Sequence, residues 1–135
     1  MIAVDMDGTF LSDQKTYNKA RFLAQYQQIK QQNIRFVVAS GNQYYQLISF
    51  FPEIRDEIAF VAENGVNIVD KGETLFCGEL SQAHLAKVLS VLSDLPYVHA
   101  VVCGPRSAYM LDTSPPELVR LMSQHYHRLE LRPDF

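Results

Sequence analysis

The chain has 135 residues, of which 47% are hydrophobic and 20% charged, a composition typical of a globular protein. Its net charge of −3 at pH 7 provides no basic field for a nucleic-acid backbone. No apolar run approaches the roughly 18 residues that a membrane-spanning helix needs. We therefore expect a protein that binds neither nucleic acid nor membrane.

The sequence also favours a reducing compartment. Its two cysteines, Cys77 and Cys103, lie far apart and form no C-x-x-C pair, so neither a disulfide framework nor a zinc site is predicted. A charged residue, Asp5, comes too early to leave room for a signal peptide. We expect a cytoplasmic protein.

Short apolar runs alternate with amphipathic stretches in the first half of the chain. This alternation predicts right-handed βαβ units on a parallel sheet, and so an α/β fold. The predicted elements are a strand over 2–4, a helix over 17–33, a strand over 34–39, a helix over 43–51 and a strand over 58–62.

The pattern changes after Gly65, which suggests a second module. A turn-rich spacer at 70–73 predicts a hairpin, and Ser81 can cap a helix with apolar residues at positions 85, 88, 89 and 92. Two strands over 97–103 and 107–111 and a helix after Ser114 complete the pattern. We place the two domains at residues 1–70 and 71–135.

The segment Asp5-Met6-Asp7-Gly8-Thr9 follows the first predicted strand, where ligands bind in open α/β sheets. A carboxylate can attack phosphorus if a cation such as Mg²⁺ offsets the repulsion between the two anions. A second carboxylate two residues later can protonate the leaving oxygen and then activate water. A solvated turn is the alternative interpretation of the same residues.

A second polar segment, Ser40-Gly41-Asn42, follows the next predicted strand and precedes a helix. The free N–H groups at a helix start can hold phosphate, and the Ser40 hydroxyl can donate to it. Alone, Ser40 would be read as a helix cap. Together, the two segments predict a phosphate site at the carboxyl ends of the strands.

These motifs resemble those of the haloacid dehalogenase superfamily, and within it the Cof-like sugar phosphatases of subfamily IIB, most closely the YbiV type. Asp5-Met6-Asp7-Gly8-Thr9 is similar to the family's first motif and Ser40 to its second. Glu63-Asn64-Gly65 resembles the segment before the cap. The resemblance implies a partial Rossmann-like core over 1–70 and the start of an α+β cap of the C2 type over 71–135.

The resemblance also implies roles for the site residues. Asp5 would be the nucleophile and a Mg²⁺ ligand, and Asp7 the general acid and base that binds the metal through its carbonyl. Ser40, Gly41 and Asn42 would bind the phosphoryl group, although Asn42 replaces the usual arginine of the family. The implied substrate is a small phosphorylated metabolite such as a sugar phosphate.

The family's third-motif lysine and its fourth motif, Gly-Asp-x-x-x-Asp, do not follow the cap region in these 135 residues. We therefore expect this chain alone to be inactive or nearly so. The strand over 2–4 would become an exposed edge, which favours self-association or pairing with a separate C-terminal half.

Three other functions remain open from the sequence. A phosphomutase of the same superfamily would isomerise a sugar phosphate instead of releasing phosphate. A noncatalytic remnant would bind phosphate or a partner chain through its sheet edge. A receiver-like signalling domain would use Asp5 as phospho-acceptor, but it would not explain the second half of the chain.

Overall fold

The computed structural model describes residues 1–135, which divide into two units, Met1–Cys77 and Gly78–Phe135. The boundary falls after Cys77, whereas the sequence placed it after Asp70. The difference arises because the chain turns back at Lys71-Gly72 and adds one more strand to the sheet of the first unit.

The first unit contains a five-stranded sheet in the order β1-β2-β3-β4-β5. Its strands are β1 (Ile2–Val4), β2 (Phe36–Ala39), β3 (Ala59–Ala62), β4 (Asn67–Asp70) and β5 (Glu73–Cys77). The first three strands run parallel, and β3, β4 and β5 pair antiparallel. The α/β class predicted from the sequence is confirmed, and so is the position of β1 at a sheet edge.

Two helices, α1 (Lys19–Gln31) and α2 (Tyr44–Phe50), connect the parallel strands. Asn18 caps α1, since its side-chain oxygen accepts the N–H of Arg21 at 3.0 Å. The helices and strands enclose a single apolar core rich in aromatic rings, which anchors the loops after the strands. Its most deeply buried members are Met6, Val38, Leu47, Phe51, Phe60 and Ala62.

The second unit is a smaller α+β arrangement. Its elements are α3 (Gln82–Ser93), β6 (Val102–Cys103), β7 (Ala108–Leu111), α4 (Pro116–Met122) and β8 (Leu129–Arg132). The sheet has the order β6-β7-β8, with β7 antiparallel to β6 and parallel to β8. As predicted, the Ser81 side chain caps α3, accepting the N–H of His84 at 3.2 Å.

The second unit buries few of its apolar side chains. Only Ala108 and Met110 are buried hydrophobic residues there, and no residue of α3 is fully buried. The strand predicted over 97–103 is reduced to Val102–Cys103, and Tyr97 is 91% exposed. No helix in the chain has the length and apolar character needed to cross a membrane.

Candidate functional site

Three polar segments lie at the carboxyl ends of the three parallel strands. They are Asp5–Thr9 after β1, Ser40–Asn42 after β2 and Glu63–Gly65 after β3. The register pairs Val4 with Val38 and Ala39 with Val61, so the strands end at the same edge of the sheet. This edge is where ligands bind in open α/β sheets.

The loop after β1 folds around a buried anchor, Met6, which has no exposed surface. The Met6 carbonyl accepts the N–H groups of Phe10 at 3.1 Å and Leu11 at 2.8 Å. Gly8 adopts a φ of +73°, a left-handed conformation that most side chains disfavour. The turn leaves the Asp5 carboxylate exposed, with the Thr9 hydroxyl donating to its Oδ2 at 3.0 Å.

Asp7 lies between two donors from other parts of the first unit. Lys15 Nζ is 2.5 Å from Asp7 Oδ1, and Asn42 Nδ2 donates to Asp7 Oδ2 at 2.9 Å. The structure therefore brings the two predicted site residues Asp7 and Asn42 into direct contact. Lys15 was not predicted, because nothing in its sequence spacing separates it from an ordinary surface lysine.

The Ser40–Asn42 loop is held from within and from the neighbouring strand. The Ser40 N–H donates to the Val61 carbonyl at 3.0 Å, and Ser40 Oγ accepts the N–H of Asn42 at 3.2 Å. A Cβ on Gly41 would lie 3.0 Å from Asn64 Oδ1, which is too close without a shift of that side chain. Glycine at this position therefore lets the loop pass close to Asn64.

The turn after β3 supports the Ser40–Asn42 loop. The Glu63 N–H donates to the Asn42 carbonyl at 3.1 Å, and the Asn64 N–H donates to the Ser40 carbonyl at 3.2 Å. Glu63 and Asn64 both adopt positive φ angles, 54° and 58°, which cost energy for non-glycine residues. Burial raises the pKa of the Glu63 carboxyl, opposed by a hydrogen bond from the Tyr44 backbone N–H.

Two oxygen ligands at this edge could supply part of a Mg²⁺ shell. They are the exposed Asp5 carboxylate and the backbone carbonyl of Asp7, and no cluster of three or more Cys, His, Asp or Glu side chains is placed to hold a metal. Mg²⁺ commonly binds one or two protein carboxylates and completes its octahedron with water and substrate phosphate. Asp5 and Asp7 are therefore the residues at this edge that could hold Mg²⁺.

The fold and this edge define the class: an α/β domain whose polar residues follow the first strands of a parallel sheet. The sequence model of the haloacid dehalogenase-like hydrolases matches residues 2–133. The chain belongs to this family of hydrolases.

Individual relatives agree with the family assignment. The chain is 59% identical over all 135 residues to the 5-amino-6-(5-phospho-D-ribitylamino)uracil phosphatase YbjI of Escherichia coli K12, covering 50% of it. The structure of SMU.1108c from Streptococcus mutans UA159 matches 98% of the chain with a TM-score of 0.91 and 33% identity, over 50% of its own length.

A subclass IIB sugar phosphatase of the superfamily, BT4131, shares the fold at 16% identity, with a TM-score of 0.68 over 96% of this chain and 50% of its own. In each comparison the chain spans about half the length of the relative.

Proposed function

We propose that this chain supplies the nucleophile-bearing half of a Mg²⁺-dependent phosphatase that acts on small phosphorylated metabolites, with sugar phosphates as the preferred class. The observation that carries the proposal is the exposed carboxylate of Asp5 at the carboxyl end of β1, beside the Ser40–Asn42 loop that follows β2. Membership of a hydrolase family supports it.

The reaction would proceed in two displacements. An oxygen of Asp5 attacks phosphorus, the bond from phosphorus to the leaving oxygen breaks, and Asp7 donates a proton to that oxygen. Asp7 then takes a proton from water, whose oxygen attacks the phosphorus and releases phosphate from Asp5. The hydrogen bond from Thr9 to Asp5 Oδ2 orients the nucleophile.

Ser40 and Gly41 would bind the phosphoryl oxygens. The Ser40 hydroxyl and the Gly41 N–H lie on the loop that Glu63 and Asn64 support, so their positions are set before a ligand arrives. Mg²⁺, held by the Asp5 carboxylate and the Asp7 carbonyl, would offset the charge repulsion between nucleophile and phosphate.

The names of relatives support the substrate class. YbjI is named for a substrate that carries a phosphoribityl group, and BT4131 is described as a sugar phosphatase. We extend this class, a phosphate ester on a sugar or sugar alcohol, to this protein. Cys77 and Cys103 form no disulfide with each other, which agrees with the proposed cytoplasmic location.

A second candidate function follows from the open edge of the sheet. β1 has no partner on one side, and beside it lies a groove lined by Ile2, Phe22, Ile29 and Phe36, among others. An apolar edge strand favours pairing with another strand. We infer that a further protein segment, or a second copy of the chain, pairs with β1 and completes the sheet. If the chain is not catalytic, this binding would be its function.

Phosphate release from a panel of sugar and ribityl phosphates with Mg²⁺ tests the proposal. The chain is compared with Asp5→Asn, with Asp94→Asn as a matched control on the second unit, and with EDTA. Release that needs both Asp5 and metal supports the phosphatase. Isomerised substrate would indicate a phosphomutase. Phosphate release by Asp5→Asn would refute Asp5 as the nucleophile. Inactivity together with dimer formation would favour the binding role.

A further inference from the structure

We propose that Lys15 and Asn42 are positioning residues that hold the Asp7 carboxylate from its two sides. Each donor occupies a different oxygen: Lys15 Nζ lies 2.5 Å from Oδ1, and Asn42 Nδ2 lies 2.9 Å from Oδ2. Two donors on two oxygens fix both the position and the plane of a carboxylate, which a single hydrogen bond does not. We call these three residues the Asp7 clamp.

The Asn42 side of the clamp is built into the fold. The Asn42 N–H donates to Ser40 Oγ at 3.2 Å, and its carbonyl accepts the Glu63 N–H at 3.1 Å. Both backbone groups are thus satisfied by neighbours, and the side-chain amide is free to reach across to Asp7. The resemblance assigned Asn42 to substrate binding, whereas this geometry directs its amide to the general acid and base.

The Lys15 side depends on a short looped segment. The Ser12 N–H donates to the Thr16 carbonyl at 2.9 Å, and the Lys15 N–H donates to the Ser12 carbonyl at 2.9 Å. Lys15 has a φ of +57°, a conformation that costs energy for a residue with a side chain. The strain is consistent with a loop shaped to bring the ammonium group to Asp7.

The clamp is expected to fix the orientation of the Asp7 carboxylate more than to stabilise the fold. The side chains of Lys15 and Asp7 are 61% and 40% exposed, and an ion pair this open typically stabilises a protein by less than about 1 kcal/mol. A carboxylate oxygen has two lone pairs, so a hydrogen bond from one donor does not by itself block proton transfer at Asp7. The expected effect therefore lies in proton transfer.

This inference rests on the proposed phosphatase reaction, in which Asp7 protonates the leaving oxygen. Positioned general acids contribute roughly 100-fold to 10,000-fold to such steps. A poor leaving group, such as a sugar hydroxyl, needs the proton, whereas p-nitrophenolate leaves without it. Loss of the clamp should therefore slow release from a sugar phosphate far more than release from p-nitrophenyl phosphate.

The contact itself can be tested without activity, by NMR of the ¹⁵N-labelled chain. Replacing Asp7 in Asp7→Ala should move the side-chain amide signals of Asn42 and leave those of Asn67, a buried asparagine in β4, unchanged. An Asn42 amide that does not respond to Asp7→Ala would overturn the clamp. Because the NMR experiment needs no enzymatic turnover, it tests the contact between Asn42 and Asp7 even if the proposed function is wrong.

Kinetics then test the role, with a separate C-terminal half supplied if the chain alone is inactive. For Asn42→Ala and Lys15→Met we expect kcat for a sugar phosphate to fall about tenfold or more, with KM within about twofold, and a clearly smaller loss for p-nitrophenyl phosphate. Lys15→Arg should restore much of the rate. A raised KM with unchanged kcat in Asn42→Ala would place this residue on the substrate and refute the inference, as would equal losses for both substrates.

Discussion

Phe51 is the position at which the core of the first unit can be tested most directly. Its side chain is 1% exposed and its ring lies within 6.3 Å, between centroids, of five others. Those partners are Phe10, Tyr17, Phe22, Phe36 and Phe60. Phe51→Ala removes one ring from the centre of an aromatic cluster.

The expected loss is at the upper end of the range for such changes. Replacing a buried phenylalanine by alanine costs about 3–5 kcal/mol in free energy of unfolding, because transfer energy is lost and a cavity remains. The ring contacts add a further contribution that burial alone does not count. Phe76→Ala, in the same unit but 53% exposed on β5, is the matched control and should cost less than about 1.5 kcal/mol.

Urea unfolding followed by circular dichroism measures both losses. Phe51→Leu, which refills part of the space, keeps the comparison possible if Phe51→Ala does not fold. A loss for Phe51→Ala no larger than that for Phe76→Ala would refute the packing argument. The loss should appear in the transition of residues 1–77, because every residue of the core cluster lies in that unit.

Three smaller perturbations test local features. Asn18→Ala should destabilise the protein by about 1 kcal/mol through loss of the α1 cap, and Asn18→Ser should restore most of it in the same urea assay. Gly8→Ala should lower the free energy of unfolding by about 1–2 kcal/mol through its φ of +73° alone, since no atom lies within 4 Å of the added Cβ. Gly8→Asn should lower it less, because asparagine adopts positive φ more readily. Equal losses for the two variants would contradict a conformational cause. Burial and the Glu57 carboxylate raise the pKa of Tyr26 to about 12, so its contribution to stability is present below pH 10 and lost as the pH rises through 12. Melting temperatures of wild type and Tyr26→Phe should therefore converge over that interval, and a constant difference would count against the shift.

Most of the local structure follows from the sequence because it depends on short-range periodicity. The apolar runs and the helical spacing predicted β1, β2, β3 and both helices of the first unit to within a few residues. Ser81 was predicted as a helix cap for the same reason. The placement of Asp5 and Ser40 after neighbouring strands required only the strand order that βαβ units impose.

Errors arose where packing decided the outcome. The sequence missed β8, whose Leu129–Arg132 segment alternates over only four residues and becomes a strand by pairing with β7. The strand predicted over 97–103 is longer than the observed Val102–Cys103, because the sequence does not show how little of the second unit is buried.

The sequence by itself determined which residues could carry phosphoryl chemistry and on which edge of the sheet they would lie. Only the tertiary structure decided how they are held. The contacts of Lys15 and Asn42 with Asp7 join positions 8 and 35 residues apart, and the bonds from the turn after β3 to the Ser40–Asn42 loop cross between strands. Such contacts depend on strand register and loop closure, which no local pattern of residue types encodes.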